Sequence, residues 1–322
     1  MATKTPQVIQ YLVDTRKLWP AATKTKQLET YAARALKLLT PEEKTKVLKF
    51  FFVADAKLAL LSHLLKHWVV SKYAGVPWSQ THLSADANKK PVYVDPATGQ
   101  QPVAFNVSHQ AGIVSLVAVA AYGGGDGDKG LPAQVGTDMV CTSERRARDL
   151  RMIETEGWGR FVDMHADVFG TREAAYLRDD GALVEGAGLR GLEGEALTDG
   201  KLRVFYALWC LREAYVKMTG EALLAPWLHD LSFEGLKAPK PGREFRQSDG
   251  EEDETIRTHN VVFKGSRVED ANICLRSLGP DYMTCSAVRT PGRKDDALGW
   301  ELGPYEFLSV DEIIAHGECA SG

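Results

Sequence analysis

The chain lacks most of the features that place a protein in a class at once. No run of about 20 apolar residues occurs, so a membrane-spanning helix is not expected. The five cysteines (Cys141, Cys210, Cys274, Cys285 and Cys319) are scattered and form no CxxC pair. That excludes a recognisable zinc ribbon or disulfide framework and suits reduced thiols in a cytosolic protein. The opening Met1-Ala2-Thr3-Lys4-Thr5-Pro6 is not followed by the apolar core of a signal peptide, so a cytoplasmic location is expected. Neither charge dominates. The formal net charge of -4 gives no reason to expect nucleic-acid binding, while leaving room for a local basic pocket. The glycine-rich stretch Gly123 to Gly130 lacks the GxxxxGK[ST] order and leads into a strand, so it reads as a linker between two halves rather than a phosphate loop. No internal sequence repeat is visible.

What is present is a globular pattern. With 322 residues, 44% of them hydrophobic, the chain can bury one large core or two ordinary ones. Thr40-Pro41-Glu42-Glu43 starts a helix: Thr40 caps, Pro41 suits the first helical position and Glu43 completes a capping box. Helical spacing then runs through Leu58, Leu61, Leu65 and Trp68 to Gly75, as one helix or two. Val92 to Val94, Phe105 to Val107, Ile113 to Ala121 and Val135 to Val140 read as strands, as do Val261 to Phe263, Ala271 to Leu275 and Tyr282 to Val288. Helices are expected near Glu144 to Ile153, from Trp158 to Phe169, and across Trp209 to Lys217, the last capped by Asp199 and ended by Gly220. Pro239 to Glu254, charged and rich in Pro, Gly and Asp, is expected to be a mobile insertion.

Three segments carry chemistry. In Trp209-Cys210-Leu211-Arg212-Glu213-Ala214-Tyr215-Val216-Lys217, Glu213 and Lys217 fall on one helix face, as an ordinary surface pair or as a carboxylate and ammonium set in an apolar helix. Asp138 follows Val135-Gly136-Thr137 and reads as a turn aspartate or a carboxylate placed at a strand end. Two carboxylates distant in sequence suit a hard cation such as Mg²⁺, which prefers oxygen ligands and keeps waters and substrate phosphates. His109, after Ser108 near a strand end, is a locally bonded turn histidine or a donor to a phosphate oxygen. Lys44, Lys46 and Lys49 crowd one early helix and Lys89-Lys90 precede Pro91; such clusters are solvated faces or hold a terminal phosphate.

Taken together, Lys90-Pro91, Phe105-Asn106-Val107-Ser108-His109, Gly136-Thr137-Asp138, Phe169-Gly170-Thr171-Arg172-Glu173 and the Trp209 to Lys217 helix resemble the surfactin-synthetase-activating class of 4'-phosphopantetheinyl transferases. Order and spacing match across roughly residues 40 to 235, and Phe52 to Lys57 is similar to larger eukaryotic members. The resemblance implies an α+β fold of two pseudo-symmetric halves, each a small antiparallel sheet packed with a long helix. We divide them at 1–130 and 131–322, with the insertion at 239–254. It implies transfer of the 4'-phosphopantetheine arm of coenzyme A to a serine of apo acyl- or peptidyl-carrier domains, leaving 3',5'-ADP. The implied partners are fatty-acid, polyketide and non-ribosomal-peptide synthases, and a monomer is expected. Asp138 and Glu213 resemble the Mg²⁺ ligands, Lys217 and His109 the diphosphate contacts, Ser108 and Lys90 coenzyme A contacts, and Lys46 a 3'-phosphate contact. Glu173 and Trp209 also match the motif. Two positions depart from the pattern. Where many members have a second acid two residues after the aspartate, this chain has Val140, which leaves water or Gln110 to complete the metal. The lysine usual before the helix glutamate is Arg212. A coenzyme A or carrier-protein binder without chemistry, and a Mg²⁺-dependent phosphodiesterase, are the alternative readings.

Overall fold

The same sequence of elements occurs twice: a strand, a long helix, then a hairpin whose second strand pairs with the first strand. In the computed structural model, which describes residues 5–123, 131–221, 225, 227–245 and 253–320, the first copy runs β1 (Gln7–Asp14), α1 (Pro41–Leu48), α2 (Val53–Val70), β2 (Val103–Gln110) and β3 (Ile113–Ala120). The second runs β4 (Gln134–Cys141), α3 (Thr171–Arg178), α4 (Gly194–Thr219), β5 (Ala271–Leu278) and β6 (Tyr282–Arg289). β3 pairs antiparallel with both β1 and β2, and β6 with both β4 and β5. This is the expected α+β architecture of two pseudo-symmetric halves.

Alternation along the strands sorts the layers. Tyr11, Phe105, Leu116 and Ala118 pack with α2 into one core. Val140, Leu275, Met283 and Cys285 pack with α4 into another. Intervening residues, including Leu12, Val117, Val135, Met139 and Val288, meet between the two sheets. The order is therefore helix, sheet, sheet, helix, each sheet burying both faces.

Local signals explain the element ends. Thr40 accepts from the Glu43 amide and Glu43 from the Thr40 amide, the expected capping box. The helical run from Thr40 is two helices, separated by Lys49 to Phe52. Gly220, at φ 85°, ends α4 in the left-handed region. Asp199 does not cap this helix. α4 begins five residues earlier, at Gly194, and Asp199 lies inside it, paired with Arg146 at 2.7 Å. The strand expected at Val92 to Val94 is only Pro91–Val92.

The division at residue 130 does not hold for the end of the chain. β7 (Glu306–Phe307) adds to β1 in parallel, and α5 (Val310–Cys319) buries Ile313 and Ile314 in the first core. The first half is thus closed by the last residues described. The proposed linker falls largely on 124–130, outside the described residues, as does 246–252 of the proposed insertion. The flanks of that insertion are held: Gly242 donates to the Gly279 carbonyl at 2.9 Å, and Gly279 to Asp253 at 2.8 Å. No helix among the described residues is long and apolar enough to cross a membrane.

Candidate active site

The site forms where the edge strand of one sheet meets the edge strand of the other. β2 and β4 lie side by side, and polar residues at every second position of β2 bridge them. The Thr137 amide donates to Asn106 Oδ1 at 3.0 Å, Ser108 Oγ to Asp138 Oδ1 at 2.8 Å, and the Cys141 amide to Gln110 Oε1 at 3.0 Å. Asn106 and Gln110 satisfy backbone amides on the open edge of β4, and Ser108 adds a side-chain tie to Asp138, which together fix the register between the halves. Asn106 was not among the residues singled out. Its signal was the alternation Asn106, Ser108, Gln110 along a strand whose other face is apolar.

Asp138 lies within β4, not at its end. It faces α4 together with Gly136 and Val140, because residues two apart share a strand face. Gly136 is what lets α4 approach: a β-carbon there would stand 2.0 Å from the Ala214 carbonyl oxygen and 2.3 Å from the Met218 amide. The close contact brings Trp209, Glu213 and Lys217, spaced four apart on one helix face, to the carboxylate. Lys217 Nζ donates to Asp138 Oδ1 at 2.7 Å and to Ser108 Oγ at 3.2 Å. It makes no ion pair with Glu213, so the helix pair expected from sequence is replaced by a strand-to-helix pair.

A cavity of about 300 Å³ opens over this triad, lined by Ser108, His109, Gln110, Asp138, Val140, Trp209 and Lys217. Trp209 belongs to an aromatic cluster, its ring centre 6.2 Å from those of His165, Phe169 and Phe205. Burial pushes the Glu213 carboxyl up to about 7; Lys217 opposes this and Asp138 adds to it. Burial disfavours the Lys217 charge, but the Asp138 and Glu213 carboxylates outweigh it and hold the ammonium above its ordinary pKa. His109 projects into the open cleft. Partial desolvation by the cleft walls, then the Lys217 charge, keep its pKa below the ordinary value.

The donor set fits a hard cation. Asp138 Oδ2 and both Glu213 oxygens have no hydrogen-bond partner among the described residues, and the two carboxylates are close enough for Asp138 to raise the Glu213 pKa. No group of three His, Cys, Asp or Glu side chains suited to a metal occurs among the described residues. The protein therefore offers two carboxylates, a number that suits Mg²⁺ with water and substrate phosphate in the remaining positions. Gln110 is committed elsewhere: its Oε1 takes the Cys141 amide, and its Nε2 donates to Glu144 at 2.6 Å. Val140 offers no ligand atom.

Other candidates serve the frame. Lys90 Nζ donates to the Val135 carbonyl at 2.6 Å and the Lys217 carbonyl at 2.9 Å, leaving one donor free. Burial lowers its pKa to about 8. Arg212 and Glu173 form a buried ion pair at 2.6 Å, with side chains 1% and 2% exposed. Arg212 also donates to the Val168, Leu228 and Leu231 carbonyls, while Glu173 accepts from the Gly170 and Phe233 amides. Both residues point away from the cavity and lock α3 and the Leu231–Glu234 strand onto α4. Lys46 is exposed on α1, outside the Asp138 cluster.

Comparison with known proteins agrees with this layout. Residues 26–121 match the family model of the 4'-phosphopantetheinyl transferase N-terminal region, and residues 134–274 that of the 4'-phosphopantetheinyl transferase superfamily. The chain is 45% identical to 4'-phosphopantetheinyl transferase 1 of Fusarium mangiferae over 99% of its own length and 98% of the relative's. It is 36% identical to a 4'-phosphopantetheinyl transferase of Aureobasidium melanogenum over 94% and 95%, and 33% identical to 4'-phosphopantetheinyl transferase NpgA of Emericella nidulans over 85% of each. With both halves matched and similarity running nearly end to end, the chain belongs to the 4'-phosphopantetheinyl transferase family.

Proposed function

We propose that this transferase uses coenzyme A as donor and moves its 4'-phosphopantetheine arm to a serine hydroxyl of an apo carrier domain, with 3',5'-ADP as the second product. The observation that carries the reading is the Ser108–Asp138–Lys217 cluster, with Glu213 on the same helix face as Lys217. In the reaction the carrier serine oxygen bonds to the β-phosphorus and the bond from that phosphorus to the bridging oxygen breaks. The nucleotide leaves with the bonding pair. Such transfers gain most from positioning and from charge stabilisation.

The residues divide the work. Asp138 and Glu213 would hold Mg²⁺, which supplies charge neutralisation at the diphosphate when bound. Lys217, kept protonated by two carboxylates, is poised to stabilise charge on the bridging oxygen. His109 donates an N–H to a phosphate oxygen from the cleft wall. Glu213 receives the serine proton through an oxygen the metal leaves free, or through a water. Acidic carrier helices suit the basic first half, and acyl- and peptidyl-carrier domains are the acceptor class.

The test is intact mass of apo carrier proteins of the fatty-acid, polyketide and peptide types, incubated with the protein, coenzyme A and Mg²⁺, with an EDTA control. A gain of one phosphopantetheine on serine that EDTA abolishes is expected. Coenzyme A binding with no gain on any carrier would replace this reading by the binding-only one, with Val140 as its explanation. Release of free phosphopantetheine without a carrier would replace it by a phosphodiesterase.

A further inference from the structure

Behind the cleft, on the face of β4 turned away from α4, polar side chains gather around one phenol. Tyr305, the residue before β7, packs against both apolar clusters between the sheets. Its oxygen lies 2.8 Å from Ser286 Oγ and 3.2 Å from Thr284 Oγ1, both on β6, and 3.5 Å from Thr137 Oγ1 on β4. Gln10, on β1, donates from Nε2 to Ser286 Oγ at 2.9 Å. Thr284 Oγ1 donates to the Asp138 carbonyl at 2.9 Å, and Thr137 Oγ1 to the Cys285 carbonyl at 2.9 Å.

Each hydroxyl has one proton to give, and that count sets a direction. The protons of Thr284 and Thr137 go to carbonyl oxygens, which only accept, so both threonines present lone pairs to Tyr305. Ser286 already accepts from Gln10, and among the described residues the phenol oxygen is the acceptor left for its proton. Tyr305 therefore accepts from Ser286 and donates to Thr284, the nearer threonine. Burial raises the Tyr305 pKa, with Ser286, Thr137, Thr284 and Gln10 opposing, so the phenol keeps the proton this requires. The chain runs one way, from Gln10 through Ser286, Tyr305 and Thr284 to the Asp138 carbonyl, and successive bonds of this kind strengthen one another. It starts in the first half and ends on the residue whose carboxylate meets Lys217 and Ser108.

We propose that Tyr305 is a positioning residue for transfer: it completes the hydroxyl chain from Gln10 to the Asp138 carbonyl and so sets the angle at which the Asp138 carboxylate meets Lys217 and the cation. The inference rests on Asp138 serving the reaction as proposed above. The Asp138 carbonyl is held by Thr284 from the layer between the sheets and by Cys210 Sγ, at 3.5 Å, from α4. Main chain and side chain of one residue turn together, so a loosened carbonyl swings the carboxylate. Asn106, Ser108 and Gln110 tie β2 to β4 at the cleft, and the Tyr305 chain ties the halves behind it. Tyr305 comes from the returning end of the chain, and no motif marked it.

The test uses Tyr305→Phe, Thr284→Val and the double variant, with Thr284→Ser as the conservative change and Tyr122→Phe as control. Tyr122 also packs between the sheets and donates to Asp296 at 3.1 Å, so its substitution removes one phenol bond outside the Asp138 network. Steady-state transfer gives kcat and KM for coenzyme A, calorimetry gives Mn²⁺ affinity, and thermal unfolding gives stability. Tyr305→Phe should lower kcat about tenfold, keep KM for coenzyme A within about twofold, and weaken Mn²⁺ by about three- to tenfold. Thr284→Val should do the same and Thr284→Ser should not. The double variant should lose little more than either alone, because both changes cut one chain. Tyr122→Phe should lose stability only. Wild-type kcat and Mn²⁺ affinity in folded Tyr305→Phe, equal losses in Tyr122→Phe, or additive losses in the double variant would overturn the proposal. If wild type transfers to no carrier, yet Mn²⁺ binding weakens in Tyr305→Phe and Thr284→Val and not in Tyr122→Phe, the transfer reading fails and the placing of Asp138 by Tyr305 stands. A wild type that neither transfers nor binds Mn²⁺ would take Asp138 out of the site, and the proposal with it.

Discussion

Lys217 Nζ is bonded to Asp138 Oδ1 at 2.7 Å, across the gap between helix and strand, while Glu213, one helical turn back, makes no ion pair with it. The ammonium therefore serves two carboxylates unequally. It fixes one by a direct bond and lowers the pKa of the other from a distance. Lys217→Met should leave Glu213 still more reluctant to ionise and remove the cation nearest the bridging oxygen. A fall of about 10²–10³ in kcat is expected, with a smaller change in KM. Steady-state transfer to an apo carrier protein checks it; an unchanged kcat would take Lys217 out of charge stabilisation.

The Glu213 carboxyl should also make metal-free stability depend on pH. Its pKa is about 7 in the folded chain against an ordinary 4.5, so the folded state favours the protonated form. That contribution is present in full below about pH 4.5 and is lost as pH rises through 7. Allowing for partial solvation, the loss between pH 5 and pH 8 should be on the order of 2 kcal/mol. Glu213→Gln should remove it. Mg²⁺ should restore stability at pH 8 in the wild type and not in the variant. Thermal unfolding in EDTA and in Mg²⁺ across this range gives the answer, and identical pH slopes for both proteins would contradict it.

Arg212 and Glu173 occupy motif positions, yet the structure places them away from the cavity as a buried pair with carbonyls and amides filling their remaining valences. Breaking one partner leaves a buried charge alone. Glu173→Gln and Arg212→Met should therefore each destabilise by about 3–5 kcal/mol. Transfer measured on the remaining folded fraction should be near wild type. A selective loss of kcat in a protein of unchanged stability would assign the pair to the chemistry instead.

The division between what the sequence displays and what it hides follows from the range of the interactions. The capping box at Thr40, the hairpin strands and the end of α4 at Gly220 are set by neighbours within a few residues, so local pattern reveals them. Asp138, Lys217 and Ser108 are 79, 109 and 30 positions apart in their pairings, and only likeness to a family brought them together in advance. Spacing alone favoured a Glu213–Lys217 pair, because helix periodicity ignores the strand packed against that face. The start of α4 was placed too late because Asp199 looks like a cap while its carboxylate is engaged by Arg146. The return of β7 and α5 to the first half left no local trace at all.

Gly136 gives the sharpest test of how the site is assembled. It needs no unusual backbone angle; it needs the absence of a side chain, since a β-carbon would lie 2.0 Å from the Ala214 carbonyl and 2.3 Å from the Met218 amide. Both obstacles are helix backbone and cannot swing aside. Gly136→Ala must therefore push α4 off β4, and the same movement draws Lys217 away from Asp138. Overpacking of this kind costs about 1–3 kcal/mol or more, and a displacement of 1 Å at a transfer site costs about 10²-fold in rate. The expected result is a lower melting temperature together with a loss of transfer larger than the unfolded fraction explains. Gly159→Ala is the matched control: it lies within the Trp158–Asp163 helix, and a β-carbon there meets nothing within 4 Å. By helix propensity it should leave transfer intact and stabilise by up to about 1 kcal/mol. Wild-type rates in Gly136→Ala would show that β4 and α4 need not touch for the site to work.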